Sequence, residues 1–308
     1  MNARNPAPLV GIVEGMENED YHASEGLSNS GLTLLAKCPA LFYARNLDPN
    51  RPRQEEKGGQ LEGTLAHCAI LEPDAFSDRY AVPPADAPRR PTDAQWNAKK
   101  PSEESIAAMA WWSEWNDKNK GRRVITSAQY EAAMRQGESA RKLPRVREVL
   151  SNGRPELSAW AIDPDTGVLK KCRPDFTHEI GDSEAILMDV KTYSDASPDE
   201  FARQIARKGY FRQDAHYRDT FSQASGRIVR EFFFLAVETE YPYLAKAVTL
   251  DDMALEWGRF EVARLTSLYA ECLKTNDWPG YGDDTTVVSL PGYIFPKFDS
   301  EEIEVSYV

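Results

Sequence analysis

Two aspartates and a lysine stand at a spacing that concentrates charge at one point. Arg173-Pro174-Asp175 precedes Ile186-Leu187-Met188-Asp189-Val190-Lys191-Thr192, with Asp189 fourteen residues beyond Asp175. In an extended strand successive side chains alternate, so Asp189 and Lys191 emerge on one face while Met188 and Val190 pack on the other. Two carboxylates and an ammonium then share one small site. Mg²⁺ prefers oxygen ligands and keeps several waters, so Asp175, Asp189 and the main-chain carbonyl of Val190 make a reasonable half-cage. A hard divalent ion held there suits phosphodiester hydrolysis, because it positions water, neutralises charge on the phosphorane and helps the leaving oxygen. Lys191 can orient or deprotonate the attacking water, or stabilise developing negative charge. The residue types leave these roles open; charge stabilisation with water orientation is the reading adopted. An Asp-x-Lys triplet alone would equally suit a surface salt bridge, so its company decides.

The elements that must position these residues follow from caps, breakers and periodicity. Ser28-Asn29-Ser30 caps a first helix interrupted near Cys38-Pro39, and residues 63–73 read as a helix stopped near Pro73, with His67 in its middle. Residues 82–101 carry five prolines together with Arg89, Arg90, Lys99 and Lys100, which predicts an extended surface arm. Helices are expected over 102–117, with a tryptophan cluster, and over 127–150, where Ser127 can cap and Gly153 can terminate. Strand-like stretches then follow at 157–163, 168–176 and 185–192, separated by turns at 164–167 and 179–183, and predict a three-stranded antiparallel meander. Ser197-Pro198-Asp199-Glu200 opens a helix running, with a break at Gly209, to about Ser222. Strands at 230–238 and 244–250 and a closing helix at 251–273 complete the core, and the Gly- and Pro-containing tail reads as covering structure.

Helix, three strands, helix, strand, with Asp175 ending one strand and Asp189-Val190-Lys191 in the next, resembles the PD-(D/E)XK nuclease core. Three more features fit its RecB-like branch: Gly63-Thr64-x-x-His67 on an upstream helix, Glu156 opening the first core strand, and Gln213 with Tyr217 in the following helix. Residues four apart share a helix face, so Gln213 and Tyr217 can point together at the carboxylates. Within that branch, Tyr21-His22-Ala23, Leu27 to Leu32, Gly63-Thr64-Leu65-Ala66-His67 with Leu71-Glu72-Pro73 and Phe76, Cys172 to Asp175, Met188 to Thr192 and Gln213 to Tyr217 resemble RecE-like (exonuclease VIII) nucleases. The similarity runs by motif order over roughly residues 20 to 295.

That resemblance implies an α/β fold: a central mixed β-sheet flanked by helices, with an N-terminal helical elaboration. It implies a Mg²⁺-dependent exonuclease that resects the 5′ strand of linear double-stranded DNA and leaves 3′ overhangs. The implied partners are a RecT-like annealing protein and other copies of the chain in a ring-like oligomer. His67 would add a nitrogen ligand, making Mn²⁺ a substitute, and Glu156 could bind a second metal or its water. Lys170, Lys171, Arg173, Arg203, Arg207, Lys208 and Arg212, with Arg218, would form a local positive surface for the DNA backbone. Two alternatives remain open: a single-strand or structure-specific endonuclease of the same fold, and a non-catalytic DNA-binding or assembly protein.

A net charge of -12 excludes coating nucleic acid through bulk charge, so any DNA contact must be local. The four cysteines lie far apart with no C-x-x-C pair, which predicts reduced, buried thiols. No run of about 18 apolar residues occurs, and the opening residues lack the apolar segment of a signal peptide; a cytoplasmic protein is expected. The expected organisation is an irregular segment at 1–26 and a single nuclease domain at 27–308. Within it lie a helical part at 27–150, a catalytic core at 151–275 and a covering segment at 276–308.

Overall fold

The computed structural model describes residues 10–52, 59–282 and 284–290. The central sheet has five strands in the order β10 (Ala245–Val248), β9 (Ile228–Glu238), β8 (Glu184–Tyr193), β7 (Phe176–Ile180) and β4 (Arg154–Pro155). β8 and β9 run parallel and the other neighbours antiparallel, so the sheet is mixed. A second, antiparallel sheet has the order β1 (Gly11–Val13), β5 (Ser158–Ile162), β6 (Leu169–Cys172). A short parallel pair, β2 (Tyr80–Ala81) and β3 (Arg123–Val124), ties down the root of the proline-rich arm.

Helices cover both faces of the central sheet, which is why the middle of β9, Phe232 to Val237, is apolar without alternation. On one face Leu187, Phe232, Phe234 and Ala236 pack against Phe201, Ile205 and Phe221 of the Pro198–Lys208 and Tyr210–Ser225 helices. On the other, Ile186, Met188, Val190, Phe233 and Leu235 meet Ile70, Ala140, Val146 and Val149 of the Gln60–Leu71, Ser127–Lys142 and Pro144–Leu150 helices. Asp189 and Lys191 therefore fall on the first face, and Val190 on the second.

Several boundaries differ from the sequence expectation. The stretch 168–176 is two strands, β6 and β7, in different sheets, so no continuous meander forms. Pro174 has no N–H for a ladder bond, and the chain changes sheets at Arg173-Pro174-Asp175. β7 reaches Ile180, which shortens the expected turn at 179–183 to its second half, where Gly181 has φ 55. The expected 127–150 helix is broken at Pro144, and Thr126, not Ser127, is the cap, accepting from the Gln129 amide. Within 1–26 the described part holds β1 and the Asn18–Ala23 helix. Residues 1–9, 53–58 within the polar stretch, and 291–308 with Pro291, Gly292 and Pro296 lie outside the described residues.

Candidate functional site

Asp175 sits in the crossing between the two sheets, held from two sides. Its carbonyl accepts from the Glu156 amide at 3.1 Å, and its Oδ2 accepts from the Val190 amide at 2.6 Å. His67 approaches from the Gln60–Leu71 helix, its Nδ1 3.5 Å from Asp175 Oδ2. That helix lies close: a Cβ added at Gly63 would stand 3.7 Å from Thr192 Oγ1, and one at Gly137 would stand 2.8 Å from the Ala69 carbonyl.

Asp189 is buried at 3% exposure, one residue pair along β8. Gln213 Nε2 donates to its Oδ1 and the Lys191 ammonium contacts its Oδ2. Lys191 Nζ also stands 4.9 Å from the centre of the Tyr210 ring, whose hydroxyl is hydrogen-bonded to that of Tyr193. The aromatic wall gives the ammonium a cation–π neighbour and confines it to the carboxylate side. Tyr210 and Tyr193 were not singled out in the sequence. Tyr193 is two residues from Lys191 on the same strand face, the one local signal that could have found the pair.

The electrostatics are those of crowded negative charge. Burial raises the Asp175 pKa well above the usual carboxylate range, and the charge of Asp189 raises it further. Burial lowers the His67 pKa, so the imidazole is neutral and able to act as a ligand. For Lys191, burial acts against the charged form, but Asp189 and Asp175 outweigh it and the pKa is raised. The buried Asp189 and the half-buried Asp175 share one half-buried ammonium, and the uncompensated negative charge fits a cation. Hard oxygens from Asp175 and Asp189, with the His67 nitrogen beside them, suit a divalent ion of the Mg²⁺ or Mn²⁺ type. Among the described residues no three His, Cys, Asp or Glu side chains already converge as a finished cage. Asp189 is turned to Lys191 and Gln213 rather than to His67.

An open cleft of about 790 Å³ leads to this point, lined by Gly63, Thr64, His67, Glu72, Arg79, Pro155, Glu156, Arg173 and Asp175 and, opposite them, by residues 14–18. Glu156, a non-glycine residue at φ 52, lies on the cleft wall and pairs with Arg173 at 2.8 Å, while Arg173 also donates to the Met16 carbonyl at 2.7 Å. The 14–18 wall was missed in the sequence because contacts across some 150 residues hold it, which local pattern does not reveal.

The model of the family described as "PDDEXK-like domain of unknown function (DUF3799)" matches residues 28–290. The chain belongs to this family. Among solved structures, the PDDEXK-like chain is similar to a candidate exonuclease from Eubacterium rectale, at TM-score 0.53 and 12% identity over 90% of this chain and 95% of that one. An alkaline exonuclease from Laribacter hongkongensis is similar at TM-score 0.25 and 16% identity, over 66% of this chain and 97% of that one. No curated protein matches the sequence. The first likeness shows the fold, a mixed α/β sheet flanked by helices as the sequence predicted. No helix among the described residues of this PDDEXK-like protein is long and apolar enough to cross a membrane.

The expected DNA-binding cations do not form one surface in the PDDEXK-like fold. Lys170 is buried and paired with Asp163 at 3.0 Å. Lys171 is buried too; its ammonium donates to the Tyr21 carbonyl at 2.7 Å and to the Ser24 carbonyl and hydroxyl, and burial lowers its pKa to about 8. Both point inward because β6 is covered on each side, so these lysines are internal ties and not phosphate contacts. Arg212 is half-buried between the Phe211 ring and Glu261. Arg218 is held by Asp214 and the Phe232 carbonyl. Arg203 pairs with Glu200 on the outer side of its helix, where Arg207 and Lys208 are exposed; none of the three lines the cleft. Arg173 alone of the group reaches the cleft. Tyr217 packs edge-on against Phe232 behind the carboxylates and hydrogen-bonds neither of them among the described contacts, so of the expected Gln-Tyr pair only Gln213 touches an aspartate.

Proposed function

We propose that this protein is a divalent-metal-dependent deoxyribonuclease of the RecE type, a 5′ to 3′ exonuclease on linear duplex ends. One observation carries the reading: Asp175 and His67 line an open cleft 3.5 Å apart, and the ion-paired Asp189 and Lys191 flank Val190, whose amide holds the Asp175 carboxylate. Asp175 and Asp189 would hold Mg²⁺, with the Val190 carbonyl and His67 beside them. The ion supplies Lewis acidity toward a phosphate and lowers the pKa of bound water.

The chain's own residues supply the rest. The raised pKa of Lys191 keeps its ammonium charged at neutral pH, which favours a role in orienting water and stabilising charge on the phosphate over a role as general base. Gln213 fixes the Asp189 carboxylate, and the Val190 amide fixes that of Asp175. Glu156 and Arg173 form a polar wall where the substrate backbone would pass. The similar Eubacterium rectale structure is that of a candidate exonuclease, which agrees with action at DNA ends. A RecT-like annealing partner and a ring-like assembly follow from the sequence resemblance alone.

The test is incubation with Mg²⁺ and linear duplex labelled at the 5′ or the 3′ end, beside nicked and covalently closed circles. Early release of the 5′ label from linear DNA, with closed circles intact, is expected. Equal loss of closed circles and linear DNA would sink the exonuclease reading in favour of an endonuclease.

A further inference from the structure

Residues 89–100 carry four cations, Arg89, Arg90, Lys99 and Lys100, against one acid, Asp93, in a chain of net charge -12. All four are exposed, and none is ion-paired with a carboxylate among the described residues. Between them Trp96 is 40% exposed. A merely solvated loop needs no scaffold, yet this one has two anchors on Trp112 and an internal cap. Trp112 Nε1 donates to the Pro88 carbonyl at 2.9 Å, the Arg90 guanidinium lies 5.3 Å from the centre of the Trp112 ring, and Thr92 with Gln95 closes a capping box.

The scaffold itself is unusual. The Glu103–Lys118 helix has 16 residues and buries Trp112 alone. Most helical stability in proteins comes from tertiary packing, and this helix has little of it. Here Trp111 and Trp115 lie parallel at 6.3 Å with Trp112 edge-on to both, so the helix serves as a bracket for the 89–100 loop. The arm leaves the body at Tyr80, directly after Arg79, which lines the cleft.

We infer that residues 89–100 form a second contact site for a nucleic-acid strand, outside the cleft, with phosphates on the four cations and an unpaired base stacked on Trp96. Phosphate neutralisation is sequence-independent, and an exposed indole flanked by cations binds bases that are not already stacked in a duplex, so the strand is single. The class of ligand rests on the nuclease reading above.

The experiment is anisotropy of a labelled single strand of about 20 nucleotides, with the full chain in EDTA so that nothing is cut. Wild type is compared with an Arg89→Ala/Lys99→Ala/Lys100→Ala triple variant and with Trp96→Ala, all changed at exposed positions. The triple variant is expected to bind at least about tenfold more weakly at physiological salt, with the slope of log K against log salt reduced by about 2. Trp96→Ala is expected to lose about tenfold with the slope unchanged. Wild-type affinity and slope in both variants would overturn the proposal, and so would a preference of the wild type for an acidic polypeptide over the strand. Arm-dependent binding by a protein that shows no metal-dependent cleavage would leave this site standing and remove the nuclease reading. Cleavage with arm-independent binding would do the reverse.

Discussion

The Val190 amide donates to Asp175 Oδ2 at 2.6 Å, so the strand that carries Asp189 and Lys191 also clamps the first aspartate. The two halves of the motif are thereby one rigid unit, with a charge density that the fold itself does not neutralise. Its consequences can be measured.

Asp175→Asn removes a half-buried charge whose ionisation is opposed by desolvation and by Asp189. The amide oxygen can still accept from Val190. The variant should lose cleavage while its metal-free form gains stability on the order of 1 kcal/mol, a trade expected where a strained site serves function. Thermal unfolding in EDTA beside a cleavage assay reads both; a destabilised variant would contradict the electrostatic account.

The same group sets a pH slope. A carboxyl raised in the folded state stabilises fully below its unfolded pKa of about 3.9, and that contribution is lost as pH rises through the folded value. Metal-free protein should therefore lose stability from this site as pH climbs, and Asp175→Asn should remove that loss. Urea midpoints across pH in EDTA measure it.

His216 gives a slope of opposite sign. It is buried, donates from Nε2 to the Lys171 carbonyl at 2.9 Å, and its pKa is lowered to about 4, burial being the main cause. The unfolded chain takes up the proton near pH 6.5 and the folded chain does not, so stability present above that pH is lost as pH falls toward 4. The loss is on the order of 3 kcal/mol at the acid end. His216→Gln should flatten that part of the profile, whatever its stability at neutral pH.

Gly137 lets the helix bearing His67 approach. A Cβ there would stand 2.8 Å from the Ala69 carbonyl, so Gly137→Ala must shift that helix and should cost about 1–3 kcal/mol. It should also lower metal affinity by moving His67, which calorimetry with Mn²⁺ can detect. Unchanged stability and affinity would show that the helix has slack.

How far the sequence carried depended on the range of the interactions involved. Alternation along 185–192 placed Asp189 with Lys191, and helical spacing placed Gln213 on Asp189, because both are local geometry. Lys170 and Lys171 misled because a lysine in a strand reads as exposed. Their burial depends on Asp163 across a hairpin and on the Tyr21 to Ser24 carbonyls, a segment far away in the chain. The split of 168–176 into two sheets was signalled by Pro174: β6 stays with β5 and is bridged by the remote Leu27, while β7 pairs with β8 and with β4, and neither Leu27 nor β4 is named by a local pattern.

The most direct test is single-turnover cleavage of linear duplex DNA by wild type, Asp189→Asn and Lys191→Ala, each with Mg²⁺ and with EDTA. The account predicts cleavage by wild type only with Mg²⁺, none detectable for Asp189→Asn, and a loss of about 100-fold or more for Lys191→Ala. A Lys191→Ala protein as fast as wild type, or wild-type cleavage that persists in EDTA, would contradict it.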